Sequence, residues 1–281
     1  MEDQIIRQNL EWIHQGHTTL KTGEWDSFAA PHLEGQEWSV IIPAAGRGSR
    51  LGFHLPKILY PVAGRPILDW LLDLFPAEAK IILVASSTGE AALRDALIQR
   101  GTRGQVVIQP EPKGMGDAVA IGLAVVDTPR VAIVWGDQTA LLPEHVSMTL
   151  RLHSGPLSPD VTCPTVLRSK PYIHFERDAA GHLKAILQAR EGDAMPADGE
   201  SDAGFFAFET VVLRRLWQDH SADASLAGAL TKEQNFLPLI ALASAVGLQV
   251  LTPQVMTIEE TTGVNSADDA KLLTTVLENR Q

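Results

Sequence analysis

The 281-residue sequence has very little cysteine, because Cys163 is the only one. A single thiol excludes an intrachain disulfide framework and a metal site built from several cysteines. The sequence also has no long apolar run, and none approaches the roughly 18–20 residues of a membrane span. The amino-terminal stretch MEDQIIRQNLEW is polar and acidic and does not have the composition of a signal peptide. We therefore expect a protein of the cytoplasm, or of another reducing compartment, with no membrane partner.

Basic residues are in the minority: 23 Lys and Arg against 34 Asp and Glu give a net charge of −11. This balance argues against a nucleic-acid partner, which would require a basic face. A small anionic substrate is compatible with it, since a local pocket of Lys and Arg can exist in an acidic protein. Hydrophobic residues make up 45% of the chain, which supplies a core and excludes intrinsic disorder. An oligomer is compatible with these features.

From Ser39 onward, short apolar runs rich in β-branched residues alternate with segments of helical periodicity. The predicted strands are 39–43, 80–86, 105–109 and 130–136, and the predicted helices are 66–75, 88–99, 115–126 and 143–153. Continuous apolar runs are typical of strands that are buried on both faces of a parallel sheet. The alternation of strands and helices therefore predicts an α/β fold, a Rossmann-like, three-layer, mostly parallel sheet.

The second half of the chain has a different pattern, with few helices between short strands. Strands are predicted at 160–168, 171–176, 182–188 and 204–208, then helices at 209–218 and 233–245, a strand at 248–252 and a helix at 266–279. This pattern indicates a small mixed or antiparallel extension of the sheet. Residues 1–38 are predicted to form a helical appendage, with apolar residues Ile5, Ile6, Leu10 and Ile13 on one side of a helix. Three tryptophans would anchor it to a main domain at 39–281: Trp12, Trp25 and Trp38.

A glycine-rich loop follows the first predicted strand, with the sequence PAAGRGSRLGFHLPK at 43–57. Its small residues let a ligand approach the backbone closely, and Arg47, Arg50 and Lys57 supply three cations. The glycine spacing fits neither the dinucleotide-binding fingerprint nor a P-loop. A strand end, bare backbone N–H groups and cations together indicate a polyphosphate site at the carboxyl ends of parallel strands. The alternative is a glycine-rich turn with solvated basic residues.

The loop and three later segments together resemble the signature of the sugar-1-phosphate nucleotidyltransferases. These segments are QPEPKGMGDAVAIG (109–122), IVWGDQ (133–138) and TTGVNSADDAKLL (261–273). The resemblance covers about residues 39–280 and is strongest to the uridylyltransferase part of the N-acetylglucosamine-1-phosphate enzymes; QPEP-G is also similar to the glucose-1-phosphate thymidylyltransferases. It implies the nucleotide-diphospho-sugar transferase fold with a small mixed-strand sugar-binding portion. It also implies a magnesium-dependent transfer from UTP or dTTP to a sugar 1-phosphate, with release of pyrophosphate.

The resemblance implies catalytic roles for two cations of the loop. Arg50 would stabilise the triphosphate and the leaving pyrophosphate, and Lys57 would contact the α-phosphate or the attacking phosphate. The nucleotide would bind along the loop, at Ala44, Ala45, Gly46, Arg47, Gly48 and Ser49. No nucleophilic side chain is required, because the acceptor phosphate itself attacks the α-phosphorus.

Two further residues are implied to bind magnesium, Asp137 directly after a buried strand and Asn265 just before the last predicted helix. Magnesium prefers oxygen ligands and bridges substrate phosphates, so one or two protein ligands suffice. The alternatives are an aspartate that caps a turn and an asparagine that caps a helix.

Gln109 is the candidate for reading the base. Its amide offers both a donor and an acceptor, which match N3–H and a carbonyl of uracil or thymine. The backbone of Gly114 would add a second contact. UTP or dTTP is therefore favoured over CTP, and the alternative is a polar residue at a strand end.

The acceptor side departs from the family pattern. Where the family often has Glu-x-Lys, this sequence has Gln188-Ala189-Arg190, and where the family often has Asn-Thr-Gly it has Asp202-Ala203-Gly204. The resemblance implies that Gln188, Arg190, Asp202 and Gly204 contact the sugar phosphate. An unusual sugar, a cyclitol phosphate or another phosphorylated alcohol fits these residues equally well.

Two alternative functions share the phosphate-binding features. One is a cytidylyltransferase that acts on a phosphorylated alcohol or phosphonate, and the other is a nucleotide-binding regulator without turnover. A degenerate copy should have lost one of the reactive groups, yet Arg50, Lys57, Asp137 and Asn265 are all present. The enzyme is therefore the favoured hypothesis.

Overall fold

The computed structural model describes residues 22–254 and 256–280. The helix predicted around Ile5–Ile13 and the anchor Trp12 lie outside the described residues. The main sheet has seven strands: β1 (Trp38–Pro43), β4 (Lys80–Ser86), β5 (Gly104–Gln109), β6 (Arg130–Val134), β7 (Val161–Thr162), β12 (Phe205–Glu209) and β13 (Val250–Leu251). Their order in the sheet is β13-β7-β12-β6-β1-β4-β5.

The sheet is mostly parallel, as the alternation of strands and helices predicts. β1 pairs in parallel with both β4 and β6, and β4 pairs in parallel with β5. β12 is antiparallel to both of its neighbours, β6 and β7. The helices are α1 (Ile67–Leu72), α2 (Glu90–Arg100), α3 (Met115–Leu123), α4 (Pro143–His153), α5 (Thr210–His220), α6 (Pro238–Ala245) and α7 (Ala267–Glu278).

Burial of both sheet faces explains why β1 is apolar except for Ser39. All six residues of WSVIIP are buried. Because successive side chains of a strand point to opposite faces, Val40 and Ile42 join one core cluster and Ile41 joins the other. Helices α1, α2, α4 and α7 contribute to the first cluster, and α3, α5 and α6 contribute to the second. The predicted three-layer α/β fold is confirmed.

The strands of the second half form two antiparallel pairs beside the main sheet. β9 (Ile173–Arg177) pairs with β10 (Leu183–Gln188), and β8 (Thr165–Ser169) pairs with β11 (Asp198–Asp202). The single strand predicted at 160–168 is wrong, because it is divided into β7 and β8 around Pro164. The helix predicted at 233–245 begins only at Pro238, and β11 was not predicted. A short hairpin of β2 (Pro61–Val62) and β3 (Arg65–Pro66) was not predicted either.

The described part of the amino-terminal segment packs on the sheet. Residues Thr22–Phe28 form a 3₁₀ helix, and Trp25 (0% exposed) and Phe28 (2% exposed) belong to the same core cluster as Trp38 and Val40. The backbone N–H of Ala30 donates to the carbonyl of Arg151 at the end of α4, over 2.8 Å. Among the described helices, none is long and apolar enough to cross a membrane.

Candidate active site

Two adjoining cavities lie at the carboxyl ends of the parallel strands. The first is lined by the loop after β1 and by the segment after β5, and includes Ala44, Ala45, Gly46, Lys57, Gln109 and Gly114. The second is lined by residues of β8, β9, β10, β11 and the loops before α6 and α7, and includes Arg50, Gln188, Asp202, Gly204 and Asn265. Both cavities share Met115, Trp135, Asp137 and Arg190. Residues far apart in the sequence thus meet at one sheet edge, where ligands of open α/β sheets bind.

The glycine-rich loop closes on itself and returns Lys57 to the strand end. The backbone N–H of Lys57 donates to the carbonyl of Gly46 over 3.0 Å, and Arg47 and Pro56 form an isolated β-bridge. A Cβ on Gly48 would lie 2.8 Å from the Cβ of Phe53, so the loop requires a residue without a side chain there. The loop is therefore a compact ring that presents its lysine to the site.

Lys57 is the centre of the predicted catalytic group. Its Nζ donates to Oδ2 of Asp137 over 2.8 Å and to Oδ1 of Asn265 over 3.1 Å. The three residues come from the loop after β1, the loop after β6 and the turn before α7. The structure thus brings both predicted metal ligands and the predicted catalytic lysine to one point.

Backbone contacts hold the two predicted metal ligands side by side. The N–H of Val264 donates to the carbonyl of Asp137 over 2.9 Å, and Gln138 forms a β-bridge with Gly263. A Cβ on Gly263 would lie 3.0 Å from Cγ of Asp137, so glycine permits this close approach. Ser266, not Asn265, is the N-cap of α7, in a capping box with Asp269. The side chain of Asn265 is therefore not used as the helix cap.

The donor set fits a hard divalent cation. Two oxygen atoms, one carboxylate and one amide, converge on the Lys57 ammonium. In the described residues, no group of three or more His, Cys, Asp or Glu side chains could hold a metal. A site with one carboxylate would rely on substrate phosphates and water for its remaining ligands, which is typical of magnesium.

Gln109 is buried at the end of β5, on the wall of the first cavity. Its Nε2 donates to the carbonyl of Gly114 over 3.1 Å and to Oδ2 of Asp117 over 2.8 Å. These two acceptors fix the orientation of the amide and occupy both of its N–H donors. The predicted donor contact with a base carbonyl is therefore not available, and the oxygen Oε1 is what remains for a base. The segment itself is held by Gln234, whose N–H donates to Lys113 and whose carbonyl accepts from Gly116.

Arg190 lies where the two cavities join. Its Nη2 donates to Glu233 over 2.5 Å, and its side chain is partly exposed. The neighbouring Glu191 is buried, and burial acts to raise its pKa. Hydrogen bonds from Thr231, Asn235 and the N–H of Leu230 outweigh burial and lower the pKa of Glu191 to about 2. This carboxylate therefore fixes the 230–235 loop that carries the partner of Arg190.

The second cavity has a buried carboxylate on its wall. Asp202 is 9% exposed, and its Oδ2 accepts from the N–H of Gly204 over 2.9 Å. Burial raises the pKa of Asp202 to about 6, against the opposing effects of that hydrogen bond and of Arg168. Among the described residues, no Lys, Arg or His forms an ion pair with Asp202. Gln188, also buried, lines the same cavity.

Three predicted loop residues lie apart from this group. Arg47 and Ser49 are exposed and Gly48 is buried within the loop, and the described lining of the two cavities does not include them. Sequence reasoning also missed several residues that line the second cavity, Trp135 and Arg168 among them. Trp135 immediately precedes Gly136-Asp137, so its position in the sequence could have identified it. The position of Arg168 in the cavity could not be predicted from the sequence, because it results from how β8 packs in the folded chain.

A family model described as "MobA-like NTP transferase domain" matches residues 40–201, more than half of the chain. The "Bifunctional protein GlmU" of Cupriavidus necator is 30% identical over 235 residues, which cover 81% of this chain and 49% of that protein. The protein of the same name from Pseudomonas aeruginosa PAO1 is 30% identical over 235 residues, with coverage of 80% and 48%. The chain therefore spans about half the length of the curated relatives it matches.

Solved structures share the fold at low sequence identity. A "UDP-glucose pyrophosphorylase complexed with UDP-glucose" superposes with a TM-score of 0.67 at 14% identity, over 86% of this chain and 99% of that one. The "inositol-1-phosphate CTP transferase from T. maritima" superposes with a TM-score of 0.63 at 14% identity, over 85% and 96%.

Proposed function

Because the chain belongs to the MobA-like NTP transferase family, we propose that it is a nucleotidyltransferase acting on a sugar 1-phosphate or a sugar-like phosphate. The reaction transfers a uridylyl or thymidylyl group from the nucleoside triphosphate and releases pyrophosphate. The observation that carries the proposal is the contact of Lys57 with both Asp137 and Asn265 at the carboxyl ends of the strands.

The chemistry is an in-line displacement at the α-phosphorus of the triphosphate. An oxygen of the acceptor phosphate forms the new P–O bond, and the bond to the leaving pyrophosphate breaks. Both reactants are anionic, so the protein must offset repulsion and hold the line of attack. Lys57 lines the first cavity and would contact the α-phosphate or the attacking phosphate. Arg50 is exposed on the wall of the second cavity and would have to extend across the junction of the two cavities to meet the leaving pyrophosphate.

Asp137 and Asn265 would hold magnesium, which supplies charge neutralisation across the phosphates when bound. Asp137 lines both cavities, so the metal would lie between nucleotide and acceptor. The nucleotide would lie in the first cavity against the loop of Ala44, Ala45 and Gly46.

Base selection would depend on Gln109. With its donor used by Gly114 and Asp117, the remaining Oε1 accepts a hydrogen bond, which N3–H of uracil or thymine can donate. Cytosine has no N3–H, so UTP or dTTP is the expected substrate. The acceptor would occupy the second cavity, which Gln188, Asp202, Gly204 and Arg190 line. The first three residues would contact its hydroxyl groups, and Arg190 would contact its phosphate.

The test is pyrophosphate release in magnesium buffer, with each of UTP, dTTP, CTP, ATP and GTP crossed with a panel of sugar 1-phosphates. Phosphocholine and a phosphonate complete the panel. Release with UTP or dTTP and a sugar phosphate is the expected result. Pyrophosphate release with CTP alone would contradict the proposed role of Gln109. No release with any pair, while UTP still raises the Tm, would favour a nucleotide-binding regulator.

A pair of lysine variants links the activity to the site. We expect Lys57→Ala to lower kcat by about 10²–10³, since removal of one preorganised charge typically has that effect. Lys80→Ala is the matched control. Lys80 lies at the amino end of β4, away from the site at the carboxyl ends of the strands, and pairs with exposed Asp127. Full turnover in the Lys57→Ala protein would refute the phosphate contact.

A further inference from the structure

Glu260 is a fully buried carboxylate outside the two cavities. It is 0% exposed and lies in the 3₁₀ turn Glu259–Thr261, shortly before Asn265. A buried carboxylate is costly unless hydrogen bonds satisfy it. Here Oε2 accepts from the N–H of Leu142 over 2.9 Å, and Oε1 accepts from the N–H of Thr257 over 2.8 Å.

The same oxygen contacts the imidazole of His145. Nδ1 of His145 lies 2.7 Å from Oε1 of Glu260, and His145 is in the first turn of α4. The carboxylate therefore joins three points of the chain: the end of the loop after β6, the start of α4 and the turn that precedes α7.

These contacts connect the two segments that carry the proposed metal ligands. Asp137 begins the segment that reaches Leu142 and His145, and Asn265 ends the segment that starts at Thr257. The segments are also joined beside the ligands, through the hydrogen bond from Val264 to Asp137 and the bridge of Gln138 with Gly263. Glu260 supplies the second attachment, at their far ends.

Two attachments fix the relative orientation of two segments, whereas one attachment allows them to pivot. Between Thr261 and α7 the chain has no regular secondary structure apart from the single bridge at Gly263. A rotation at Thr261 would therefore move the amide oxygen of Asn265 relative to the carboxylate of Asp137.

We propose that Glu260, together with His145, is a positioning residue that sets the spacing of Asp137 and Asn265 and thereby the affinity of the metal site. This inference rests on the proposed function, because the metal site belongs to it. Groups that support metal ligands typically change metal affinity by about 10- to 100-fold when they are replaced.

The test measures metal binding directly, with Mn²⁺ as the probe, from the paramagnetic resonance signal of the free ion. Mn²⁺ prefers the same oxygen ligands as Mg²⁺. We expect Glu260→Gln to weaken Mn²⁺ binding about tenfold. Glu209→Gln is the matched control, since Glu209 contacts His153 and Arg130 where β6 begins, away from Asp137. The Glu209→Gln protein should bind Mn²⁺ like the wild type, even if its Tm falls as far as that of the Glu260→Gln protein.

A second pair of variants separates positioning from a purely structural role. His145→Asn retains an N–H donor near Nδ1 and should keep the affinity, whereas His145→Ala should weaken it. Glu260→Gln should raise the magnesium concentration for half-maximal activity about tenfold and leave kcat at saturating magnesium within about twofold.

The outcomes are distinguishable from failure of the proposed function. If Asp137→Ala abolishes Mn²⁺ binding but Glu260→Gln binds like the wild type, the positioning role is refuted and the metal site stands. If the wild type binds Mn²⁺ neither alone nor with UTP present, the metal site itself is refuted, and the positioning role with it.

Discussion

The burial of one carboxylate, Asp202, is expected to make the stability of the folded protein depend on pH. Its pKa is about 6 in the folded protein, against a usual value of 3.8. The folded state therefore binds the proton more tightly than the unfolded state does, and stability falls as pH rises from about 4 through 6. A shift of about two pKa units means that the free energy of unfolding is roughly 3 kcal/mol lower above that pH range than below it.

We therefore expect Asp202→Asn to stabilise the protein at high pH. The amide oxygen can still accept from the N–H of Gly204, and the buried charge is removed. Thermal unfolding should show a Tm raised by several degrees at pH 8, with a much smaller gain at pH 4. Equal gains at the two pH values would show that ionisation is not the cause. The charged carboxylate lowers stability, but it lines the second cavity, where the acceptor is proposed to bind. The same variant should therefore raise KM for the acceptor.

Gln109 is expected to determine the choice between UTP and CTP. Gln109→Ala removes Oε1, the acceptor proposed for N3–H of the base. One hydrogen bond contributes about 1 kcal/mol. The ratio of kcat/KM for UTP to that for CTP should fall by roughly tenfold or less. Gln105→Ala, an exposed change on the same strand β5, should leave the ratio unchanged.

At the scale of elements, the segment after β5 depends on contact with the loop before α6. Gly114 has φ 113°, and a Cβ there would lie 2.6 Å from the carbonyl oxygen of Gln234. We expect Gly114→Ala to destabilise the protein by more than about 1 kcal/mol and to raise KM for the nucleotide. Gly247→Ala is the control, because Gly247 also has positive φ (81°) but open space around it. It should lower the Tm without affecting KM.

The strands that sequence reasoning predicted correctly are those that bury nearly continuous apolar runs, such as β1 and β4. The sequence DGESD of β11 has no strand signal. It becomes a strand because β8 pairs with it and because Arg177 binds buried Glu200 at its centre, over 2.7 Å. The predicted start of α6 at 233 is wrong for a similar reason, since Gln234 is already paired with Lys113 and Gly116.

The loop, Lys57, Asp137 and Asn265 were identifiable because they lie in short contiguous motifs. Arg168 and Glu260 were not, because their relation to the site arises only from contacts across long sequence separations. The hydrogen bond from Leu142 to Glu260, for example, joins residues 118 positions apart. Local pattern carries no information about such pairs.

At the scale of the whole molecule, residues 25–28 contribute to the stability of the main body. Phe28 and Trp25 pack edge to face, with ring centroids 6.5 Å apart, inside the larger core cluster. We expect Phe28→Ala to lower the free energy of unfolding by about 3–5 kcal/mol and to leave kcat/KM unchanged. Urea unfolding with the exposed change Val211→Ala as control would test this. A negligible effect would instead support an independent appendage at 1–38.

The Lys57 ammonium already contacts the two oxygens that a divalent cation would use, as the ion-pair partner of Asp137 and a hydrogen-bond donor to the amide oxygen of Asn265. Binding of the cation is then an exchange reaction, in which the singly charged ammonium leaves the oxygens as the divalent ion arrives. In the proposed reaction, Lys57 would therefore oppose metal binding while it promotes transfer. Lys57→Ala should therefore bind Mn²⁺ more tightly than the wild type, although it turns over more slowly. Calorimetric titration would detect the tighter binding, and weaker binding would rule out the exchange.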